Sequence, residues 1–299
     1  MGRVADWVVT AVGAAVVLAA LRDIFHTLWH PSGRGGLGRK VLAAVWRAGR
    51  PRQGHRRVRV LAGPLAMVVV VLSWVTLIVV GWTLIYWPHL ADGFFISDAL
   101  RATSRGGLLD ALYLSMVTVA TLGFGDIVPT EEWLRIAVPV EALLGFVLLT
   151  AAVTWVLQIY PALMRRRALA IRLSLLRRAD AVRVLAEEDV PMAANLLAEL
   201  AGDLIQVRVD LVQYAETYYF RDGDESASLA ATIGTAVHLA HAAEVSPRPD
   251  MRFAATLLST ALGDYARLLD EQVLRIGGPP QAVLTAYAAD HGHSVAGGR

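Results

Sequence analysis

Between Arg59 and Asp92 the chain carries no Asp, Glu, Lys or Arg, with His89 the one basic side chain, and between Arg135 and Arg165 the only charge is Glu141. Runs of this length exceed the roughly 20 apolar residues that cross the hydrocarbon core of a bilayer. A shorter apolar stretch, Trp7–Leu21, precedes Arg22, Asp23 and His26. Composition agrees, with 56% of the 299 residues hydrophobic and 18% charged, against about 45–50% and about 25% in soluble domains. Disorder is excluded, and the pattern is that of a membrane protein rather than a soluble enzyme. The absence of cysteine removes thiolate metal sites, redox pairs and disulfides.

Three spans are expected, at about Trp7–Trp29, Leu61–Trp87 and Trp133–Tyr160. Trp82, Tyr86 and Trp87 read as an interfacial belt, with Trp133 and Tyr160 as further interfacial anchors. From His30 to Val60 there are nine Lys/Arg (Arg34, Arg39, Lys40, Arg47, Arg50, Arg52, Arg56, Arg57 and Arg59) and no acidic residue. Such a segment stays on the cytoplasmic side. Arg165, Arg166, Arg167, Arg172, Arg177 and Arg178 place the far end of the third span inside as well. The amino terminus is therefore expected outside, with the first span an uncleaved anchor rather than a signal peptide. Arg22 and Asp23 read as a pair near the inner interface, Arg22 snorkelling to headgroups, with a sensor or ion-path role as the alternative. In Leu37–Ala48, Leu37, Val41, Val45 and Ala48 share a helical face that could lie on an anionic leaflet.

Composition changes after Pro161. Met192, Leu196, Leu197, Leu200, Leu204, Val207, Leu211, Tyr214 and Tyr218 follow helical spacing. Breaks at 189–191, 221–226, 246–250 and 277–280 delimit four or five helices, the last opening near Ser226, Asp250 and Pro280. Three segments result: an anchor helix with a basic linker (1–60), a central membrane segment (61–161) and a helical bundle (162–299).

The segment between the second and third spans holds the chemistry. Leu108–Ala120 reads as a short helix with Ser115 and Thr118 facing inward. It runs into Thr121-Leu122-Gly123-Phe124-Gly125-Asp126. Glycine permits backbone conformations in which successive carbonyls face the same way. A row of carbonyls with a Thr hydroxyl at its base can replace the hydration shell of a monovalent cation.

Thr118-Val119-Ala120-Thr121-Leu122-Gly123-Phe124-Gly125-Asp126 resembles the potassium-channel signature, usually T-x-x-T-V-G-Y-G-D. The expected context is present: a preceding span, a pore helix and a following span. Leu122 replaces the usual Val and Phe124 the usual Tyr. The backbone ligands survive both changes, and Phe124 loses a hydroxyl behind the filter. The resemblance implies an all-α membrane protein with a pore module of outer helix, pore helix, filter and inner helix, flanked by an extra amino-terminal helix and a carboxy-terminal helical bundle. It implies ion binding by Thr121, Leu122, Gly123, Phe124 and Gly125, and a homotetramer, since one filter segment per chain requires four chains around an axis.

Further roles follow from that frame. Gly145 stands where the inner helix of this family often carries a hinge, or it serves as a packing contact. Phe146, Leu149, Val153 and Leu157 form a stripe for the cavity and inner gate. Glu141, alone in an apolar span, needs a partner, for which Ser115 and Thr118 are the candidates. Asp126 with Tyr113 braces the filter from behind. Asp92, Asp98, Asp110, Asp126, Glu131 and Glu132 against Arg101 and Arg105 give an acidic outer mouth that concentrates cations.

In the carboxy-terminal part no strand–helix alternation or G-x-G-x-x-G occurs, nor any regular Arg array. His238, His241 and Glu244 read as surface groups rather than a metal site, and Asp222, Asp224 and Glu225 lack calcium-loop spacing. The expectation is a non-enzymatic, multi-pass cell-membrane channel that passes potassium without a cofactor. Lipid is expected as a partner and nucleic acid is not, and the ligand of the bundle is unidentified. A weakly selective cation channel and a non-conducting sensor are the alternatives.

Overall fold

The structure, a computed structural model, describes residues 3–28, 36–48, 61–97, 107–187 and 192–293. In chain order the first elements are α1 (Arg3–Leu28), α2 (Gly36–Ala48) and α3 (Ala62–Tyr86), followed by a 3-10 turn, Trp87–His89, and a four-residue helix α4 (Leu90–Gly93). Then come β1 (Phe94–Ile96), α5 (Leu108–Val119), β2 (Ile127–Pro129) and α6 (Glu132–Arg178). Helices α1, α6 and the continuous stretch Ala62–Gly93 are long and apolar enough to cross a membrane. The chain divides into two compact units, one of residues 1–30, 34–41 and 67–157, the other of 31–33, 42–66 and 158–299.

In the first unit α1 packs on α3 through glycine. A Cβ on Gly13 would stand 2.5 Å from the Gly81 carbonyl, and one on Gly81 2.6 Å from Val17. Small residues let helix backbones touch where no hydrophobic effect drives them together. One end of this pair is held by Trp7, His89 and Trp133, whose rings lie 5.0–5.8 Å apart. Toward the other end Trp74 Nε1 donates to Asp23 Oδ2 at 2.9 Å, and the Trp74 ring meets Trp155 of α6 at 5.5 Å. Asp23 thus bonds to α3. The expected interfacial belt is also corrected: Tyr86 is fully buried and Trp82 nearly so, because both face the interior of the unit.

The helix of the third span passes through Pro161 and continues to Arg178, where a composition break suggested an end. Proline removes one backbone hydrogen bond, and the remaining ladder carries the helix across.

The second unit contains the end of α6, then α7 (Ala181–Glu187), α8 (Ala193–Gln213), α9 (Leu229–Glu244), α10 (Pro249–Leu269) and α11 (Pro280–Asp290). The helix expected to run on to Tyr218 stops at Gln213. A 3-10 turn, Ala215–Tyr219, follows and buries Glu216, Thr217, Tyr218 and Tyr219. Four arginines of α6 hold this turn and α8. Arg165 bonds Asp210 through two nitrogens, at 2.8 and 2.6 Å. Arg166, itself buried, donates to the carbonyls of Thr217 and Phe220 and to Asp222. Arg167 reaches Asp222 at 2.6 Å, and Arg172 bonds Asp203 and Glu199.

Most of the α2 face that could lie on a leaflet falls outside the described residues. Of the face Leu37, Val41, Val45 and Ala48, only the Val41 side chain falls among the described residues, and it is half-buried. Leu42 and Trp46 are buried instead. The Trp46 ring packs on Tyr218, Tyr219 and His291 with the Arg221 guanidinium 3.9 Å above it, and its Nε1 donates to Asp290 at 2.8 Å. The buried face of α2 is thus covered by protein at Trp46. Arg34, Arg50, Arg52, Arg56, Arg57 and Arg59 of the basic linker lie outside the described residues, as does the Arg39 side chain.

Burial pushes the Glu216 carboxyl up to about 7 from an ordinary 4.5. The native state therefore keeps a proton that the unfolded chain gives up. The stability this group allows is complete below pH 4.5 and is lost as pH rises through 7, by about 3 kcal/mol. Glu216→Gln is predicted to melt like the wild type at pH 4 and to be the more stable protein at pH 8. His291, which burial holds down at about 4, shifts stability the opposite way in both proteins and cancels in the comparison. Identical melting curves across the range for both proteins would contradict the assignment.

Candidate functional site

Helix α5 begins at Gly107, whose N–H donates to Asp110 Oδ2 at 3.0 Å, and buries Ala111, Leu114, Ser115, Val117 and Thr118. Its carbonyl end turns sharply. Thr121 N donates to the Thr118 carbonyl and Leu122 N to the Val117 carbonyl, each at 2.9 Å. Beyond this point every second residue takes a left-handed conformation: φ is +58° at Thr121, +56° at Gly123 and +77° at Gly125. In an ordinary strand successive carbonyls alternate in direction. Inserting a left-handed residue at every second position turns the intervening peptide planes so that the carbonyls share a side. Glycine meets two of these three positions without strain. Thr121, which is β-branched, holds the third against its own preference, a strain that needs surrounding structure to persist. Residues 121–125 are all exposed in the single chain.

The outer end of this segment is tied in three places. Tyr113 OH donates to Asp126 Oδ2 at 2.5 Å, and Ile127 N donates to Asp126 Oδ1 at 3.1 Å. The Asp126 carbonyl accepts from Ser97 N at 2.9 Å. The antiparallel pair β1–β2, with Phe94 opposite Pro129 and Ile96 opposite Ile127, continues from there. This pairing escaped the sequence reading, since two three-residue strands far apart in the chain leave no periodic signal.

Behind α5 the Glu141 carboxyl is fully buried and accepts two short hydrogen bonds. Ser115 Oγ reaches Oε1 and Tyr86 OH reaches Oε2, both at 2.6 Å. Ser115 Oγ also lies 3.2 Å from the Val79 carbonyl. One carboxyl thus joins α3, α5 and α6. Ser115 was one of the two expected partners. Thr118 is buried near the end of α5 without bonding to Glu141, and Tyr86 is the partner the sequence reading missed. Its only signal was a tyrosine at the end of a span, which reads equally well as an interfacial anchor.

Gly145 lies one turn beyond Glu141, against the end of α5. A Cβ there would overlap the Val119 carbonyl and come 3.0 Å from Val119 Cα. The structure gives this glycine a packing reason: α6 touches the backbone at the end of α5. Glu141, Gly145, Leu148, Ala152, Trp155 and Ile159 form the buried stripe of α6. Phe146, Leu149, Val153 and Leu157 point away from it and are each at least half exposed.

Other sequence candidates are dispersed. Asp98, Arg101 and Arg105 of the outer segment lie outside the described residues. His241 and Glu244 form an exposed pair at 3.5 Å, and no cluster of metal ligands occurs among the described residues. Asp222 is occupied by Arg166 and Arg167, and Asp224 caps the turn at Ser226.

Residues 69–160 match a family described as ion channel. The uncharacterized membrane protein YdjJ of Bacillus subtilis (strain 168) is 28% identical over 160 residues, 53% of this chain and 46% of the relative. Protein LctB of Geobacillus stearothermophilus is 32% identical over 91 residues, 28% of this chain and 66% of the relative. Two-pore potassium channel 5 of Arabidopsis thaliana is 38% identical over 69 residues, 22% of this chain and 17% of the relative. The chain thus spans less than two thirds of the length of each of these relatives. No solved structure matches. The match of residues 69–160 to the ion-channel model is in keeping with the resemblance to potassium channels carried by residues 118–126.

Glu141→Leu strands the Tyr86 and Ser115 hydroxyls, at about 1–3 kcal/mol for each buried group left unpaired. Glu141→Gln retains an acceptor for Tyr86, while Ser115 can accept from the amide and turn its own proton to the Val79 carbonyl. Thermal unfolding of the detergent-solubilised protein is predicted to show a large loss for Glu141→Leu and a clearly smaller one for Glu141→Gln. Equal melting temperatures for the two variants would contradict the bonding described.

Proposed function

Taking residues 69–160 as an ion-channel domain, we propose that the chain forms a potassium-selective channel in which four copies bring residues 121–125 around one axis. The observation that carries this reading is the alternation of left-handed residues at Thr121, Gly123 and Gly125. It makes a column of carbonyls from Thr121, Leu122, Gly123 and Phe124 that can take the place of a cation's hydration water. One chain supplies one wall, and a closed cyclic assembly supplies the rest. The carbonyl end of α5, which carries partial negative charge, faces the base of that column. The potassium channel named among the relatives supports the choice of ion.

Below the filter, Phe146, Leu149, Val153 and Leu157 line the conduction path, and movement of α6 opens or closes it. The arginines at 165, 166, 167 and 172 clamp the continuation of that helix to α8 and the 214–222 turn. A rearrangement of the bundle is therefore felt along α6. Removing the Asp222 carboxylate would leave the buried Arg166 without its counter-charge, a change costing about 3–5 kcal/mol. The basic segments at 34–59 and 165–178 lie on the cytoplasmic side and the amino terminus outside. The channel sits in the cell membrane and needs no cofactor.

The test is rubidium uptake by vesicles holding the purified protein, driven by an internal potassium load. Uptake well above that of empty vesicles is expected, and Gly123→Asp is expected to abolish it, because any side chain at φ +56° is strained and would disturb the carbonyl column. Uptake at background level from intact wild-type oligomers would reject conduction, and undiminished uptake with Gly123→Asp would reject this filter.

A further inference from the structure

The first unit contains a cleft that the channel reading does not use. Its walls are Leu18, Leu21, Ile24 and Phe25 of α1 and Leu144, Val147, Leu148 and Ala151 of α6, and its volume is about 420 Å³. That is within the range of small-molecule sites, roughly 300–1,000 Å³. Ile24 and Leu148 are buried and form its floor, while Leu18, Phe25 and Val147 are at least half exposed, so the cleft is open on one side. Its one polar lining group is Arg22.

We propose that this cleft holds an acyl chain of an anionic phospholipid from the inner leaflet, with the lipid phosphate on Arg22. The proposal rests on the topology given above, which sets the Arg22 end of α1 at the cytoplasmic face. Arg22 is six residues before Leu28, the last residue of α1, so it sits about 9 Å from the helix end. From that depth a guanidinium reaches headgroup level by extending its alkyl stem. No carboxylate is bonded to Arg22 among the described residues, since the adjacent Asp23 accepts from Trp74 Nε1 on the side facing α3. A lone cation at this depth is costly without a counter-charge. A phosphate supplies that charge and accepts two parallel guanidinium hydrogen bonds. The apolar walls select a hydrocarbon chain, and the single cation at the rim selects an acidic headgroup, which the cytoplasmic leaflet provides. A chain lodged there lies against the same turns of α6 that carry Gly145 and Leu149.

The experiment is native mass spectrometry of the intact oligomer in non-ionic detergent, with palmitoyl-oleoyl phosphatidylglycerol or the matching phosphatidylcholine added. The wild type is expected to retain phosphatidylglycerol at least tenfold more strongly than phosphatidylcholine. Arg22→Gln should bring the two lipids to equal, weak retention. Ala151→Phe and Leu21→Trp fill the cleft from opposite walls, and each should lose both lipids while remaining oligomeric. Equal retention of the two lipids by the wild type would overturn the proposal. Preference surviving Arg22→Gln would do the same, as would retention unchanged in both filled variants, the outcome expected if a second copy of the chain covers this cleft. Rubidium uptake by the wild type is read separately, so a failed lipid site and a failed channel assignment give different results.

Discussion

The contacts around α5 keep five consecutive residues in a conformation that an unsupported chain would abandon. A backbone with left-handed residues at 121, 123 and 125 makes no regular hydrogen-bonded structure of its own, and at Thr121 it is strained. It persists because both ends are fixed. At the inner end the terminal carbonyls of α5 accept from Thr121 and Leu122, and α6 presses Gly145 against Val119. At the outer end Tyr113 and Asp126 join α5 to the β1–β2 pair. Behind α5, the Glu141 carboxyl bonds to α3 and α5 at once. Removing any of these supports leaves the local preference of the chain to decide, and that preference is not a line of carbonyls.

The helix that packs against the end of α5 also carries the residues proposed to form the gate. Helix α6 offers Glu141 and Gly145 on its buried stripe and Phe146, Leu149, Val153 and Leu157 on its exposed side, then runs on without a break to Arg178. Its last turns are joined by charge-assisted hydrogen bonds to α8 and to the turn before α9. Such bonds are stronger and more directional than neutral ones. The Trp46 seat among Tyr218, Tyr219, His291 and Arg221 gives the bundle a second attachment, to the helix that follows α1.

Much of this was legible in the sequence because membrane segments, glycine positions and helix breaks are local properties. The three long apolar helices, the short helix before the filter and the openings near Pro249 and Pro280 follow from hydropathy, spacing and proline. What escaped is what depends on distant residues meeting. Tyr86 reads as an interfacial anchor until α6 places Glu141 beside it. The hydrogen bond from Trp74 to Asp23 has no signal in the sequence, because 51 residues separate them. The face of α2 could not be chosen from its own pattern, since an amphipathic helix suits a leaflet or a protein groove equally, and Trp46 finds the groove. Pro161 and a change in composition suggested a boundary, yet the ladder of hydrogen bonds on either side of one missing donor is enough to continue the helix.

The central claim is that the carbonyls of residues 121–124 distinguish potassium from sodium. It is tested most directly by the reversal potential of single channels in planar bilayers, with potassium salt on one side and sodium salt at equal concentration on the other. A carbonyl column of this geometry predicts a reversal potential displaced far toward the potassium equilibrium value. A reversal potential at zero, from channels that open and close normally, would contradict it and leave a cation pore without potassium selectivity.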